Sequence, residues 1–233
     1  MTAGPLDRLD EAGRAAIGEV VALLAADPRA PSSVRDPGEA WRVHVADSLS
    51  ALEIPSLAAV KRIADVGSGA GFPGLALAAA LPGAEVDLIE SVERKCEFAR
   101  MAAERAALRN VCVVCERAED WARRGPPEGG RERYEAVTAR AVGRLSTLAE
   151  LASPLLVGGG TLVAWKGRRD GEEEAELRRA QGHVGMELEE VRWVGPFAGS
   201  RNRHLHVLRK SGPTPEGLPR RAGMAKKRPL GRG

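Results

Sequence analysis

A glycine-rich turn between an apolar strand and an apolar helix is the feature that most constrains how this chain can fold. Residues 63–74 read IADVGSGAGFPG, and the apolar stretch 75–81 follows directly. Glycines allow positive φ angles and let a ligand approach the backbone closely. In a doubly wound α/β sheet, such a turn lies at the carboxyl end of the first strand, where ligands bind. The segment therefore predicts a ligand site at this turn.

Short apolar segments and helix-like segments alternate after residue 60, which favours a parallel sheet with helices on both faces. Strands are predicted at 60–66, 85–89, 111–115, 134–138 and 161–165, with a closing pair at 187–194 and 204–208. We predict an α/β fold with a Rossmann-like doubly wound sheet. It comprises an N-terminal helical extension (1–55), a ligand-binding domain (56–210) and a basic, flexible tail (211–233).

An acidic residue beside the turn indicates which ligand it binds. Gly69, Gly71 and Gly74 fit the dinucleotide pattern G-x-G-x-x-G, which is weakly specific alone. Asp65 lies two residues before the loop, and its carboxylate would repel a pyrophosphate. S-adenosylmethionine has no phosphate and carries an ammonium and a sulfonium. We therefore predict this methyl donor as the cofactor and disfavour an NAD enzyme.

Two further positions follow the next strands. Glu90 ends the second strand, where an acidic side chain can accept hydrogen bonds from both ribose hydroxyls. Ala118 and Glu119 follow the third strand, where such folds place a group that meets the adenine. An equally good interpretation makes Glu119 a helix N-terminal acid stabilised by the helix dipole.

The absence of two catalytic motifs limits which methyl acceptors are possible. No Asn/Asp-Pro-Pro-aromatic tetrapeptide follows the fourth strand, which ends in TARA at 138–141. Cys112 and Cys115 lie among valines, which predicts a buried strand rather than a nucleophile, a redox pair or a metal site. An acceptor with an available lone pair, such as guanine N7, needs no general base and can react by alignment alone.

Arg140 is the candidate for positioning the reactants, because its planar guanidinium can contact the donor carboxylate or the target nucleotide through two hydrogen bonds. An ion pair with Glu135 is the structural alternative. No catalytic base is assigned.

Charge is distributed unevenly along the chain. Residues 201–233 hold ten Lys or Arg and one acidic residue, whereas the rest of the chain holds 25 basic and 31 acidic residues. This asymmetry favours a polyanionic partner for the C-terminal end, or else a solvated basic tail. The candidate phosphate-binding residues are Lys166, Arg201, Arg203, Arg220, Arg221, Lys226 and Lys227.

The composition gives an expected location. No apolar run approaches the roughly 18–20 residues that a membrane span needs, and residues 1–14 contain three acids and no apolar signal region. We therefore expect a cytoplasmic protein.

Several motifs in order resemble the RsmG family, also called GidB, over about residues 31–230. They are SVRDP at 33–37, H-x-x-DSL at 44–49, DVGSGAGFPG at 65–74, RAED at 117–120, TARAV at 138–142, WKG at 165–167, RHL at 203–205 and LPRRAG with KKRPL at 218–230. The family methylates guanine N7 of small-subunit ribosomal RNA. The resemblance implies a class I S-adenosylmethionine-dependent methyltransferase that acts on 16S ribosomal RNA or the small ribosomal subunit.

The resemblance also implies a donor site. It places Gly67, Phe72, Ala118, Glu119 and Arg140 around S-adenosylmethionine, with Glu90 at the ribose, beside the Asp65 and Gly69 predicted from the loop itself. Family members usually carry Asn-Leu-Thr or a similar segment before the Val-Arg pair at 34–35, where this chain reads APSS. Contacts with the target base therefore stay open. We expect a monomer.

Two other functions stay open on the sequence alone. One is a methyltransferase of a small molecule or a protein. The other is a non-catalytic RNA-binding or assembly factor that retains the fold.

Overall fold

The computed structural model describes residues 4–232, so residues 1–3 of the predicted N-terminal extension and residue 233 of the predicted tail lie outside it. The chain divides into two compact units, Met1–Cys115 with Gly195–Arg201, and Glu116–Val194 with Asn202–Gly233. This division does not follow the predicted boundaries at residues 55 and 210. The N-terminal helices share a unit with the first three strands, and the tail shares one with the last four.

The first unit contains three parallel strands in the order β3-β2-β1. They are β1 (Arg62–Val66), β2 (Glu85–Ile89) and β3 (Val111–Val114). In β1 and β2 every residue after the first is buried, as expected for parallel strands that are covered on both faces. The carboxyl ends of β1 and β2 lie side by side, because Val66 is paired with Ile89.

Aspartate side chains cap two helices of the first unit. The carboxylates of Asp10 and Asp36 accept hydrogen bonds from the backbone of Gly13 and Glu39, both at 2.7 Å, and so cap the helices that follow. The helical segments are a 3-10 turn at Pro5–Arg8, α1 (Glu11–Ala26), α2 (Pro37–Ala40), a π-helical turn at Trp41–Ala46, α3 (Asp47–Leu49), a 3-10 turn at Ser50–Glu53, α4 (Pro55–Ala58), α5 (Gly74–Ala80) and α6 (Glu93–Arg105).

The cysteines correct one prediction. Cys112 is exposed, because β3 lies at the end of the strand order and its alternate residues face outward. The expectation that both cysteines of this strand are buried is therefore wrong for Cys112. Cys96 of α6 and Cys115, just after β3, form a disulfide that the sequence did not predict.

The second unit contains four strands in the order β4-β5-β7-β6. The parallel pair is β4 (Tyr134–Arg140) and β5 (Leu156–Lys166), and β7 (His204–Lys210) runs antiparallel to both β5 and β6 (Met186–Trp193). The predicted closing pair is thus confirmed. The helices are α7 (Ala118–Trp121), α8 (Leu145–Ala152), α9 (Gly171–Val184) and α10 (Met224–Lys227).

The C-terminal tail packs on the second unit, in contrast to the flexible tail that its composition predicts. Its Arg220 forms an ion pair with Glu150, and the carbonyl of Ala225 accepts a hydrogen bond from Thr147 at 3.1 Å. Both partners belong to α8, a helix in which every residue is buried. The tail thus supplies an ion-pair partner and a hydrogen-bond partner to buried polar side chains, which would otherwise lack compensation.

None of the helices between residues 4 and 232 has both the length and the apolar character required to cross a membrane.

Candidate cofactor site

The glycine loop joins the carboxyl end of β1 to α5 and curls against the end of β2. The backbone amide of Gly67 donates to the carbonyl of Ile89 at 2.8 Å. Gly67 and Gly69 have φ angles of 69° and 60°, a region that side-chain-bearing residues rarely adopt. A Cβ atom on Gly69 would meet no protein atom closer than 3.9 Å. The loop therefore presents open backbone to a ligand, as predicted.

Glu90 is brought directly to this loop. One of its carboxylate oxygens accepts a hydrogen bond from the Gly69 amide at 3.1 Å. The other accepts from the amides of Ser91 and Val92 at 2.8 and 3.0 Å. The ammonium of Lys95 lies 3.8 Å from the carboxylate of Glu90. Three amides and a lysine thus fix an acidic side chain at the position where the sequence predicts a ribose contact.

Asp65 fastens the glycine loop to α5. Its side chain is fully buried, and one carboxylate oxygen accepts a hydrogen bond from the amide of Gly74, the first residue of α5, at 2.9 Å. Its contact with the donor ammonium stays a prediction.

Ser68 is a polar group that the sequence prediction missed. Its side chain is 2% exposed, and its hydroxyl has no hydrogen-bond partner among residues 4–232. Buried hydroxyls are almost always hydrogen-bonded. The sequence signal that could have indicated Ser68 is its place between two glycines of the loop.

Phe72, at the end of the loop, packs against a histidine from the N-terminal helices. The rings of Phe72 and His44 are stacked, with centroids 5.2 Å apart. The histidine Nε2 is in turn hydrogen-bonded to the hydroxyl of Ser32 at 2.9 Å. Ser32 belongs to the APSS segment that departs from the family pattern, so this segment supports the loop through His44.

The remaining predicted donor residues belong to the second unit. Ala118 and Glu119 are buried at the start of α7, and the Glu119 carboxylate accepts a hydrogen bond from the backbone amide of Gly223 at 2.7 Å. Arg140 is the half-buried last residue of β4. It is followed by Ala141, whose φ of 59° is unusual for a non-glycine residue. Unusual backbone of this kind clusters at functional sites.

Two of the predicted phosphate-binding residues are used inside the fold. Lys166 donates to Glu173 at 2.6 Å and to the carbonyl of Gly143 at 3.0 Å. Arg220 forms two hydrogen bonds with the buried carboxylate of Glu150. Both side chains thus have internal partners, and their predicted contacts with phosphate stay a prediction. Arg203 is half-buried, and the exposed candidates are Arg201, Arg221, Lys226 and Lys227.

Comparison with known proteins identifies the family of the chain. The GidB family, described as rRNA small subunit methyltransferase G, matches residues 29–205. The ribosomal RNA small subunit methyltransferase G of Desulfitobacterium hafniense is 38% identical over 199 residues, covering 85% of this chain and 81% of the relative. That of Rubrobacter xylanophilus is 42% identical over 220 residues, covering 91% and 82%.

A solved structure agrees at the level of the fold. Aeropyrum pernix fibrillarin in complex with S-adenosyl-L-methionine aligns with a TM-score of 0.54 at 15% identity, covering 70% of this chain and 72% of fibrillarin. This likeness concerns the fold alone, and it agrees with the predicted α/β fold with a Rossmann-like sheet. The chain therefore belongs to the GidB family, rRNA small subunit methyltransferase G, and the predictions of a methyltransferase and of S-adenosylmethionine as its cofactor are confirmed.

Proposed function

We propose that this protein transfers the methyl group of S-adenosylmethionine to guanine N7 of 16S ribosomal RNA. The observation that carries the proposal is the direct hydrogen bond between Glu90 and the glycine loop, within a chain that belongs to the GidB family. This bond joins the ends of β1 and β2, where ligands of open α/β sheets bind.

The residues of the first unit fit the methyl donor. A carboxylate has about four lone-pair positions, and the three amides bound to Glu90 leave capacity for a ribose hydroxyl. The open space at Gly69 suits a closely bound ligand. Phe72, stacked on His44, holds the end of the loop.

The assignment of Ala118, Glu119 and Arg140 to donor binding follows from the family motifs. The unusual backbone at Ala141 supports a functional role for the end of β4. Arg140 is proposed as a positioning group for the donor carboxylate or the nucleotide, since guanidinium groups make forked contacts with such partners.

The chemistry requires little of the protein beyond alignment. S-adenosylmethionine supplies an electrophilic methyl group, and guanine N7 already has a lone pair. No proton has to be removed, so no general base is needed, and catalysis depends on holding the two reactants in line. This agrees with a site built from backbone amides, small residues and one fixed carboxylate.

The partner and its location complete the proposal. Exposed Arg201, Arg221, Lys226 and Lys227 are proposed to contact phosphates, which adds affinity without sequence preference and makes binding dependent on salt. Specificity is assigned to an exposed loop nucleotide, because N7 in an A-form helix faces a groove too deep and narrow for side chains. We further propose that the protein acts as a monomer in the cytoplasm, where ribosomal subunits are present.

Transfer of labelled methyl groups tests the proposal. Ribosomal RNA from cells lacking this protein is incubated with the protein and radiolabelled S-adenosylmethionine, then digested to nucleosides. We expect label in 7-methylguanosine from the small-subunit RNA. Donor binding without label on RNA would point to a small-molecule or protein substrate. Absence of both would overturn the proposed activity and favour an RNA-binding factor.

A further inference from the structure

We propose that the C-terminal segment, residues 216–230, positions Glu119 for donor binding and thereby couples donor binding to RNA binding. The inference rests on the proposed function, because it takes Glu119 as a donor contact. Arg220 and Gly223 are the positioning residues.

Glu119 depends on this segment for its orientation. Its carboxylate accepts a hydrogen bond from the Gly223 amide at 2.7 Å, across 104 positions of sequence. Gly223 has a φ of 81° and directly precedes α10. Glu119 is only 8% exposed, so a small shift of the Gly223 amide has to be followed by the buried carboxylate.

The segment is anchored immediately before Gly223. Arg220 donates to the two carboxylate oxygens of Glu150 at 2.6 and 2.5 Å, and Glu150 is 2% exposed. Arg220 also donates to the carbonyl of Arg228 at 2.8 Å, which closes the segment on itself. A bidentate pair of this kind fixes direction as well as distance.

A second pair of contacts anchors the segment at other points. The carbonyl of Leu218 accepts a hydrogen bond from Arg131 at 3.1 Å. The carbonyl of Ala225 accepts one from Thr147 of α8 at 3.1 Å. Gly223 therefore lies between two fixed points, and its amide is held in place.

Exposed basic side chains flank the same amide. Arg221 lies two residues before Gly223, and Lys226 and Lys227 lie three and four residues after it. Phosphates bound by these side chains would act on both sides of the amide that orients Glu119. Any such effect on donor affinity must be matched by an equal effect of the donor on RNA affinity.

A double-mutant cycle tests the positioning role, with S-adenosylhomocysteine as the probe in calorimetry on the full chain. Arg220→Ala is expected to raise the Kd about tenfold, or ~1.4 kcal/mol. In a Glu119→Ala background, Arg220→Ala is expected to alter the Kd less than about twofold, because the side chain through which Arg220 affects donor binding is absent. Arg209→Ala, an exposed arginine of β7, is the matched control and should leave the Kd unchanged.

Arg220→Ala leaves Glu150 buried without its partner, which can unfold the protein. Arg220→Met combined with Glu150→Gln removes the pair without leaving a buried charge and should reproduce the loss of affinity. Small-subunit ribosomal RNA, added as a second arm, is expected to change the Kd for S-adenosylhomocysteine in the wild type but not in Glu119→Ala.

The outcomes distinguish failure of this inference from failure of the proposed function. Equal losses in both backgrounds, no loss at all, or an RNA effect that survives Glu119→Ala would each overturn the inference alone. A wild type that binds no S-adenosylhomocysteine would overturn the proposed function and the inference with it.

Discussion

Glu90, the proposed ribose ligand, is held in a fixed orientation by the protein itself. Its carboxylate is fixed by amides from two stretches of chain, Gly69 in the loop and Ser91 and Val92 after β2. Groups that are already ordered cost little entropy when they bind. The charge and the acceptor geometry of this residue should therefore matter more than its size.

Glu90→Gln tests that expectation. Glutamine keeps the length but turns one acceptor into a donor, which faces amide donors in this site. We expect the Kd for S-adenosylhomocysteine to rise at least about tenfold, with RNA affinity measured by filter binding unchanged. An unaltered donor Kd in a folded variant would remove Glu90 from the site.

Ser32 and Ser33 allow a matched comparison. Only Ser32 is hydrogen-bonded to His44, which stacks on Phe72, whereas Ser33 is exposed. Ser32→Ala removes the bond to His44 and the bond from the Val34 amide. It should lower the free energy of unfolding by about 1–3 kcal/mol, the usual net value of two hydrogen bonds, and should weaken donor binding. Ser33→Ala should do neither. Thermal unfolding and calorimetry provide both readings, and equal behaviour of the two variants would contradict the role given to Ser32.

Single residues were predictable where their neighbours in sequence decide their position. The glycines and Glu90 follow from strand ends in adjacent parallel strands. The acidity of Asp65 and its place before the loop predict a ligand contact, but they do not predict its burial or its bond to the amide of Gly74. The contact of Glu119 with Gly223 links positions too far apart in sequence for any local pattern to reveal.

Among the elements, the C-terminal segment combines structural and exposed basic residues. Arg220 is bound to Glu150, whereas Lys226 and Lys227 of α10 are exposed. The composition of the tail predicted its charge but not its packing, because the acidic partners lie on a helix about 70 residues earlier. The same limitation applies to β3, whose apolar run suggested burial although the strand is at the end of its sheet.

The exposed lysines of α10 should contribute to the salt dependence of RNA binding. Lys226→Ala with Lys227→Ala should weaken RNA binding and reduce the slope of log K against log salt by about 1 for each lysine. Arg109→Ala, an exposed arginine of the first unit, is the control and should leave the slope unchanged. Binding titrations between low and moderate salt supply the slopes. A slope identical to that of the wild type would show that α10 does not contact phosphate.

At the scale of the whole molecule, a buried ionic cluster links stability to pH. His206 of β7 is 2% exposed, and its Nε2 lies 3.2 Å from Glu174, which also pairs with Arg169. Burial lowers the pKa of His206 below its ordinary value despite the nearby carboxylate. The hydrogen bonds from Arg169 lower the pKa of Glu174 to about 2.

These shifts predict a loss of stability in mild acid. Below the ordinary histidine pKa of about 6.5, the unfolded chain binds a proton at position 206 that the folded chain resists, so the free energy of unfolding falls. Glu174 affects stability at lower pH. Its contribution to the free energy of unfolding is lost as the pH falls from the pKa of the unfolded state toward about 2. Urea unfolding at pH 7.5 and 5 should show the histidine effect, and His206→Gln should reduce the difference. An undiminished difference would assign it to other groups.

Charge asymmetry was the whole-molecule property that the sequence predicted best, and it gives the expected class of partner. Which of the basic residues have internal partners was not predictable, because the partners of Lys166 and Arg220 are brought to them by the fold.

The burial of Lys210 allows covalent labelling of lysines to measure how much of the protein is folded. Its side chain is fully buried, and its ammonium donates to Glu132, to Thr214 and to the carbonyl of Leu156. An amine-reactive reagent should therefore modify Lys210 only in molecules that have opened. Lys226 and Lys227 should react in the native protein and be shielded once RNA is bound. One digest read by mass spectrometry would then report the folded fraction and the occupied fraction from two adjacent stretches of the same chain.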